Sequence, residues 1–374
     1  MEEGNSKMKN GMDSLQAFAA EIERRSKAKE DLVASTAKCE LVPLQGGGVG
    51  MVVGDDKKYG INKVGHDQIA ETVDIPTKYY HRMLRDQPGM LANDVNTWFK
   101  ANPQKRLIRT LDNQVRAVRS DSFRTDLEYE DLAAGVLPVL MKLDVAIMSY
   151  QLTDTRMYIK VVDKEVERKL AAVGGKFGDG AHNIVRCLSP AITISDSEVG
   201  HGSASVLAGV YDSFCSNLAT FGERSVRKYH MGTRHSIAAG TDYSVLSEDT
   251  RKKTTVATIA QIRDVVEAAF DRKKFGDLCD RIAETAEEKI AREADLVEVV
   301  KLTGRKVGYT EEEGKGILRH LADGGDLSRF GLYNAVTRYS QDVEDYDRAT
   351  EFERIGAKVI ELPKKDWKVL SEAA

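Results

Sequence analysis

From residue 101 to about 240 the chain alternates apolar and polar residues in short stretches: RLIRTL, QVRAVRS, DVAIMSYQL, RMYIKVVD, IVRCLSPAITIS and SASVLAGVY. Period-two alternation marks strands with one buried face. A single helical stretch interrupts them, LEYEDLAAGVLPVLMKL at 127–143, in which Pro138 predicts a break or kink. Strand runs broken by one helix are not the repeated strand and helix units of a doubly wound sheet. The order predicts an α+β fold: a central antiparallel sheet with flanking helices and a helical C-terminal region.

The flanks complete that organisation. Residues 13–30 space apolar positions for an amphipathic helix capped by Asp13 or Ser14, and residues 37–61 read as a hairpin with glycine-bearing turns. Beyond 252 the pattern is helical, with Gly356 as a C-terminal cap and one short strand in KVIELPKKDW. Three regions follow: 1–100, N-terminal helices and a hairpin with a helix-turn-helix-like segment; 101–245, the antiparallel α+β core; and 246–374, the helical C-terminal region.

The helix-turn-helix-like segment is GHDQIAETVDIPTKYYHRML at 65–84. Ile69, Ala70 and Val73 face inward on its first helix, Asp74 and Ile75 form the link, and Pro76 opens a second helix that packs through Tyr80 and Met83. An ordinary helical hairpin has the same spacing.

Composition narrows the function. With 41% hydrophobic and 30% charged residues the chain suits a globular protein, and no run approaches the ~18 apolar residues of a membrane span. The polar start MEEGNSKMKNGMDS lacks the apolar stretch of a secretory signal, so a cytoplasmic location is expected. Cys39, Cys187, Cys215 and Cys279 are too scattered for a zinc ribbon or a disulfide framework and are expected to be reduced structural thiols.

Charge is distributed unevenly. Residues 105–124 hold six basic and two acidic residues, and residues 224–235 hold four basic and none acidic, in a chain of net charge −4. The first island reads as a hairpin turning at Asp112-Asn113, which pairs Leu111 with Gln114, Arg109 with Arg116 and Arg106 with Arg119. Facing arginines call for a bridging anion, and guanidinium forks fit phosphate; acidic side chains of neighbouring helices would neutralise them equally well. The second island interleaves Arg224, Arg227, Lys228 and Arg234 with Tyr229, His230 and His235, cations for phosphates and rings for unpaired bases.

Signals for catalysis are few. GGGVG at 46–50 and GKG at 314–316 lack the rest of a phosphate-binding loop, which excludes an ATP-driven motor. Asp196, Glu198 and His201 cluster in SDSEVGHGS and are the candidates for a metal-dependent centre, although the same residues make a good turn, which is the preferred reading. Cys215 reads as a packed thiol. No catalytic residue, metal ligand or cofactor is assigned.

IPTKYYHRML, NDVNTWF, RAVRSDSFRTDLEYEDLAAGVLPVL, ISDSEVGHGSASVLAGVYDSFCSN, TRHS and GLYNAVTRYSQDVEDYDRATEFERIGAKVIEL span about 60–370. Across them the chain resembles a family of uncharacterised phage and plasmid proteins with a domain of unknown function. The resemblance implies a mobile-element setting and no mechanism. Together these readings point to a non-enzymatic nucleic-acid-binding protein, single-strand-preferring, with an annealing or DNA-protecting role and a homo-oligomeric ring or filament compatible with it. Its contacts would be Arg106, Arg109, Arg116, Arg119, Arg124, Arg224, Arg227, Lys228, Tyr229 and Arg234. The alternatives are a metal-dependent enzyme acting on nucleic acid and a transcriptional or antidefence protein working through 65–84.

Overall fold

Two antiparallel-dominated sheets, rather than one, organise the chain. The computed structural model describes residues 15–54, 57–121, 123, 127–176, 181–213, 217–228 and 248–373, the side chains of 171–185, 217, 222–228, 248 and 251 excepted. The antiparallel α+β class holds, and the strands predicted within 101–240 divide between the sheets.

The first lobe begins with α1 (Leu15–Ala28), β1 (Glu30–Ser35), β2 (Cys39–Pro43), β3 (Val49–Val53) and β4 (Lys57–Ile61). Helices α2 (Lys63–Thr72), α3 (Thr77–Asp86) and α4 (Pro88–Ala101) follow, then β5 (Lys105–Leu111) and β6 (Gln114–Ser120). Strand order is β1-β5-β6-β4-β3-β2, with β4 and β6 parallel. Because β5 and β6 belong to this sheet, a boundary at residue 101 cuts through it. Ile69, Tyr80, Leu91 and Phe99 of the helices bury against Met51 and Ile108 of the sheet, each such side chain stabilising the fold by about 1.5–3 kcal/mol. Asn96 of α4 pairs its amide with both backbone groups of Leu41 in edge strand β2, at 2.7 and 2.9 Å, which satisfies the exposed edge at that point.

The second lobe comprises α5 (Tyr129–Lys142), β7 (Ala146–Leu152), β8 (Met157–Val162), β9 (Arg168–Lys176), β10 (Ala181–Asp196), β11 (Ala204–Asp212) and β12 (Asn217–Lys228). Its order is β12-β11-β10-β8-β7, and β9 pairs the other half of the long β10. Contrary to expectation, α5 runs through Pro138 without interruption. Burial of Leu132, Val136 and Leu140 on either side of the proline holds the helix to the sheet despite the lost hydrogen bond. α1 and α6 (Glu248–Ala269) share that face.

A further core gathers α7 (Arg272–Glu284), α8 (Leu296–Val307), α9 (Glu311–Gly324), α10 (Arg329–Tyr339), α11 (Tyr346–Glu361) and α12 (Lys364–Ser371) with Leu188, Val210 and Phe221 of the sheet, and α11 takes the face opposite α5, where Lys160 meets Glu353. Gly356 is inside α11 instead of ending it. A Cβ there would fall 2.3 Å from Cγ2 of Thr337, so glycine lets α10 and α11 touch. α11 ends later, where buried Arg329 donates from Nε and Nη2 to the carbonyls of Val359 and Ile360 at 2.8 Å. The stretch expected as a short strand, KVIELPKKDW, is therefore helical: it finishes α11 and starts α12. Asp13 and Ser14 lie outside the described residues.

Candidate nucleic-acid interface

The basic hairpin folds as a hairpin but not in the anticipated register. Asp112 and Asn113 take positive φ of 50° and 61°, the geometry of a two-residue turn, and Leu111 faces Gln114. One step later β6 carries an extra residue. Thr110 faces Val115 and Arg109 faces Ala117, which leaves Arg116 bulged, while Arg106 faces Ser120 and Leu107 faces Arg119. Neither arginine pair forms. The shift keeps Ile108, Val115 and Val118 in the first lobe's core, and burial of that apolar set fixes the register.

Arg109 and Arg116 point into the protein. Arg109 is 2% exposed; its Nε and Nη2 grip Asp31 at 2.7 Å and its Nη1 donates to the Glu198 carbonyl at 2.8 Å. Burial works against its charge, but the Asp31 hydrogen bonds and the Glu128 and Glu198 carboxylates outweigh it and raise its pKa. Arg116 is 4% exposed, reaches the Asp154 carbonyl at 3.2 Å, and has its pKa lowered by burial. These two bind the lobes together, and acidic neighbours do neutralise Arg109, although they come from strand β1 and the residue before α5 and not from within helices. Arg106 and Arg119 are half-buried at the far end of the hairpin, Arg119 lying 5.3 Å over the Phe123 ring. The Nε atoms of both have no hydrogen-bond partner among the described residues.

Residues 196–203, the turn from β10 into β11, pack against the first lobe. Gln68 of α2 accepts from Val118 N at 2.7 Å and donates to Val199 O at 2.8 Å, tying β6 to this segment. Glu198 is buried, accepts from Tyr129 N at 2.8 Å and lies 3.3 Å from Lys29 Nζ. Burial and then the adjacent Glu128 charge push Glu198 up to about 7. Burial acts the same way on Glu128, but its hydrogen bond with Glu198 and the charges of Arg109 and Lys29 hold it low. The Asp196, Glu198 and His201 trio does not gather as a metal centre, because Glu198 turns into this network while His201 is exposed. Among the described residues no group of three or more histidine, cysteine or carboxylate side chains is placed to hold a metal ion.

Beyond this turn a polar cavity of about 560 Å³ lies between the second sheet and α11. The register sets Tyr158, Ser195 and Ser205 in one row across β8, β10 and β11, and Lys160, Thr193 and Leu207 in the next. Ser195 Oγ bonds Ser205 Oγ at 3.0 Å and accepts from Arg156 Nη1 at 3.1 Å. Thr193, 2% exposed, stands on the cavity floor, its Oγ1 buried and without a hydrogen-bond partner among the described residues. Asp347, Glu351 and Arg354 of α11 form the opposite wall, with Arg348 engaged by Glu313 at 2.7 and 2.8 Å. Behind the floor, fully buried Lys160 donates to Glu353 at 2.7 Å and Thr350 at 2.9 Å.

The two glycines of GHG organise the cavity mouth. Gly200 and Gly202 have φ of +81° and +122°, and a Cβ on them would meet the guanidinium groups of Arg119 at 2.7 Å and Arg156 at 1.5 Å. One arginine of the first island thus rests on the same loop as Arg156. The ladder brings Arg227 of the second island opposite Ser205, and Lys228 opposite Ala204. Arg224 is also in β12, its side chain, like theirs, not described. Arg124, Tyr229, Arg234, His230, His235 and Cys215 lie outside the described residues.

Sequence reasoning missed Arg156, Thr193, Asp347 and Arg354. The hydroxyls had a signal, since Thr193, Ser195, Ser203 and Ser205 fall at period two on a face otherwise expected to be apolar. The α11 contribution had none.

The helical segment at 65–84 matches its expected packing. Asp74 turns the chain with φ of 54°, Ile69, Ala70, Tyr80 and Met83 are buried, and α3 exposes Lys78, Tyr79, Arg82 and Arg85. No described helix is long and apolar enough to cross a membrane. The chain matches no known family model, no curated protein and no solved structure.

Proposed function

We propose that this chain binds nucleic acid, preferring single strands, across the surface at the mouth of the polar cavity, and that it acts by holding or annealing strands rather than by cleaving them. The observation that carries the reading is the meeting of Arg119 and Arg156 on the Gly200 to Gly202 loop, beside the strand end that bears Arg227. Arg156 spends Nη1 on Ser195, the remaining donors of the two guanidinium groups suit phosphate, and each such contact adds a step to the salt dependence of the affinity. The phage or plasmid setting implied by the sequence resemblance fits such a role. Fluorescence anisotropy with a labelled single strand and its duplex at two salt concentrations tests it. Salt-sensitive single-strand binding that weakens in Arg119→Ala and Arg156→Ala supports the reading, and strand binding unchanged in both variants removes it.

A second reading rests on α3. The left-handed turn at Asp74 and the exposed Lys78, Arg82 and Arg85 suit insertion of a helix into a duplex groove. It requires sequence-specific duplex binding that Arg82→Ala abolishes and Arg156→Ala leaves intact.

A further inference from the structure

We propose that the cavity beneath α11 receives one nucleotide unit, its base inside and its phosphate at the Arg119 and Arg156 mouth; this rests on the nucleic-acid reading above and assigns that surface a binding pocket.

Size is the first argument. A volume of about 560 Å³ falls in the range of small-molecule sites and exceeds what a bare phosphate needs. Charge separates the two ends. Asp345, just before α11, and Asp347 and Glu351 within it line the cavity beside Arg348 and Arg354, so that wall keeps one net negative charge and disfavours a dianion, whereas Arg119 and Arg156 collect at the loop. A ligand neutral at one end and anionic at the other meets both conditions.

The chemistry of the lining suits a base edge. Carboxylates accept from exocyclic amino groups, arginine donates to ring nitrogens and carbonyls, and serine or threonine does either. Asp347, which also accepts from Thr153 at 3.0 Å, Glu351, paired with Arg348 at 2.5 Å, Arg354 and Ser205 supply that mixture, with Leu207 and Tyr158 as apolar wall. Ser195 and Ser205 on the floor share a single hydrogen bond between their hydroxyls, which leaves bonding capacity there for such an edge.

The test is calorimetric titration of the full chain with each of the four common deoxynucleoside monophosphates and with inorganic phosphate, beside strand binding by anisotropy. The expected result is one nucleotide bound per chain, at least about tenfold more tightly than phosphate, with Ser205→Ala weakening the nucleotide by a similar factor. Ser205→Leu, which fills the floor, should abolish it. Should either variant fail to fold, competition of mononucleotide against labelled strand on the wild-type chain decides the matter, displacement supporting the pocket. Strand binding without nucleotide binding or displacement at millimolar concentration overturns the pocket and leaves the surface reading standing. Nucleotide binding without strand binding supports the pocket and overturns the strand reading. Phosphate bound as tightly as nucleotide overturns the assignment of a base to the cavity.

Discussion

The guanidinium of Arg156 fills the space beside Gly202 that any side chain at that position would need, so close that a Cβ would lie 1.5 Å from Nη2. Glycine here serves two ends, a φ of +122° and room for a cation. Gly202→Ala is expected to evict Arg156, break its hydrogen bond to Ser195, and strain the loop by about 1–3 kcal/mol. Strand affinity should fall about as far as in Arg156→Ala, by roughly tenfold for one lost charged contact. Anisotropy beside urea denaturation separates the two effects, and normal affinity in a folded Gly202→Ala protein would remove Arg156 from the interface.

Arg109 predicts the opposite behaviour from the surface arginines. Its partners are Asp31, the Glu198 carbonyl and Glu128, so Arg109→Met leaves carboxylates without their cation. Breaking a buried pair costs about 3–5 kcal/mol, and the partial exposure of Asp31 places this one near the lower end. Arg106, half-buried at the strand end, should cost about 0.5 kcal/mol or less when changed to alanine. Urea midpoints for the two variants measure the difference; equal losses would contradict the buried role of Arg109.

The contrast between these arginines marks where sequence reading stops. Alternation located β5 and β6, and the Asp112-Asn113 turn followed from residues that tolerate positive φ. The bulge at Arg116 did not, because one extra residue changes no local pattern and is selected by packing of Ile108, Val115 and Val118 against helices distant in sequence. EDLVAS was legible as β1 only once β5 supplied a partner. The cavity was least legible of all, since its floor comes from β8, β10 and β11 and its far wall from α11, about 150 residues later. Period-two hydroxyls pointed to the floor, and nothing local pointed to the wall.

Gly356 is a test of helix contact. Read as a cap, it would tolerate alanine with little loss; as the crossing point of α10 and α11 it cannot, because Thr337 Cγ2 lies 2.3 Å from the Cβ position. Gly356→Ala should destabilise the chain by about 1–3 kcal/mol, the range for overpacking, despite alanine's better helix propensity. Thermal melting of Gly356→Ala alone and with Thr337→Ser, which removes the clashing methyl, should show loss and partial rescue.

The Glu128 and Glu198 pair gives the lobe junction a pH dependence whose sign is fixed. Glu198 titrates near 4.5 unfolded and near 7 folded, so between those values the folded state holds the extra proton. Its contribution is therefore complete below about 4.5 and is lost as pH rises to about 7. Glu128 acts in reverse: held below its ordinary value, it stabilises above about 4.5 and loses that contribution as pH falls towards 2. Glu198→Gln keeps an oxygen to accept from Tyr129 N and removes the titration. Urea denaturation of wild type and variant at pH 5, 6, 7 and 8 isolates the group, because the background titrations cancel in the difference. The wild type should lose stability relative to Glu198→Gln across that series, with most of the change before pH 7. A constant difference would mean that Glu198 is ionised throughout, and that Arg109 and Lys29 neutralise both carboxylates instead of leaving one to be satisfied by a proton.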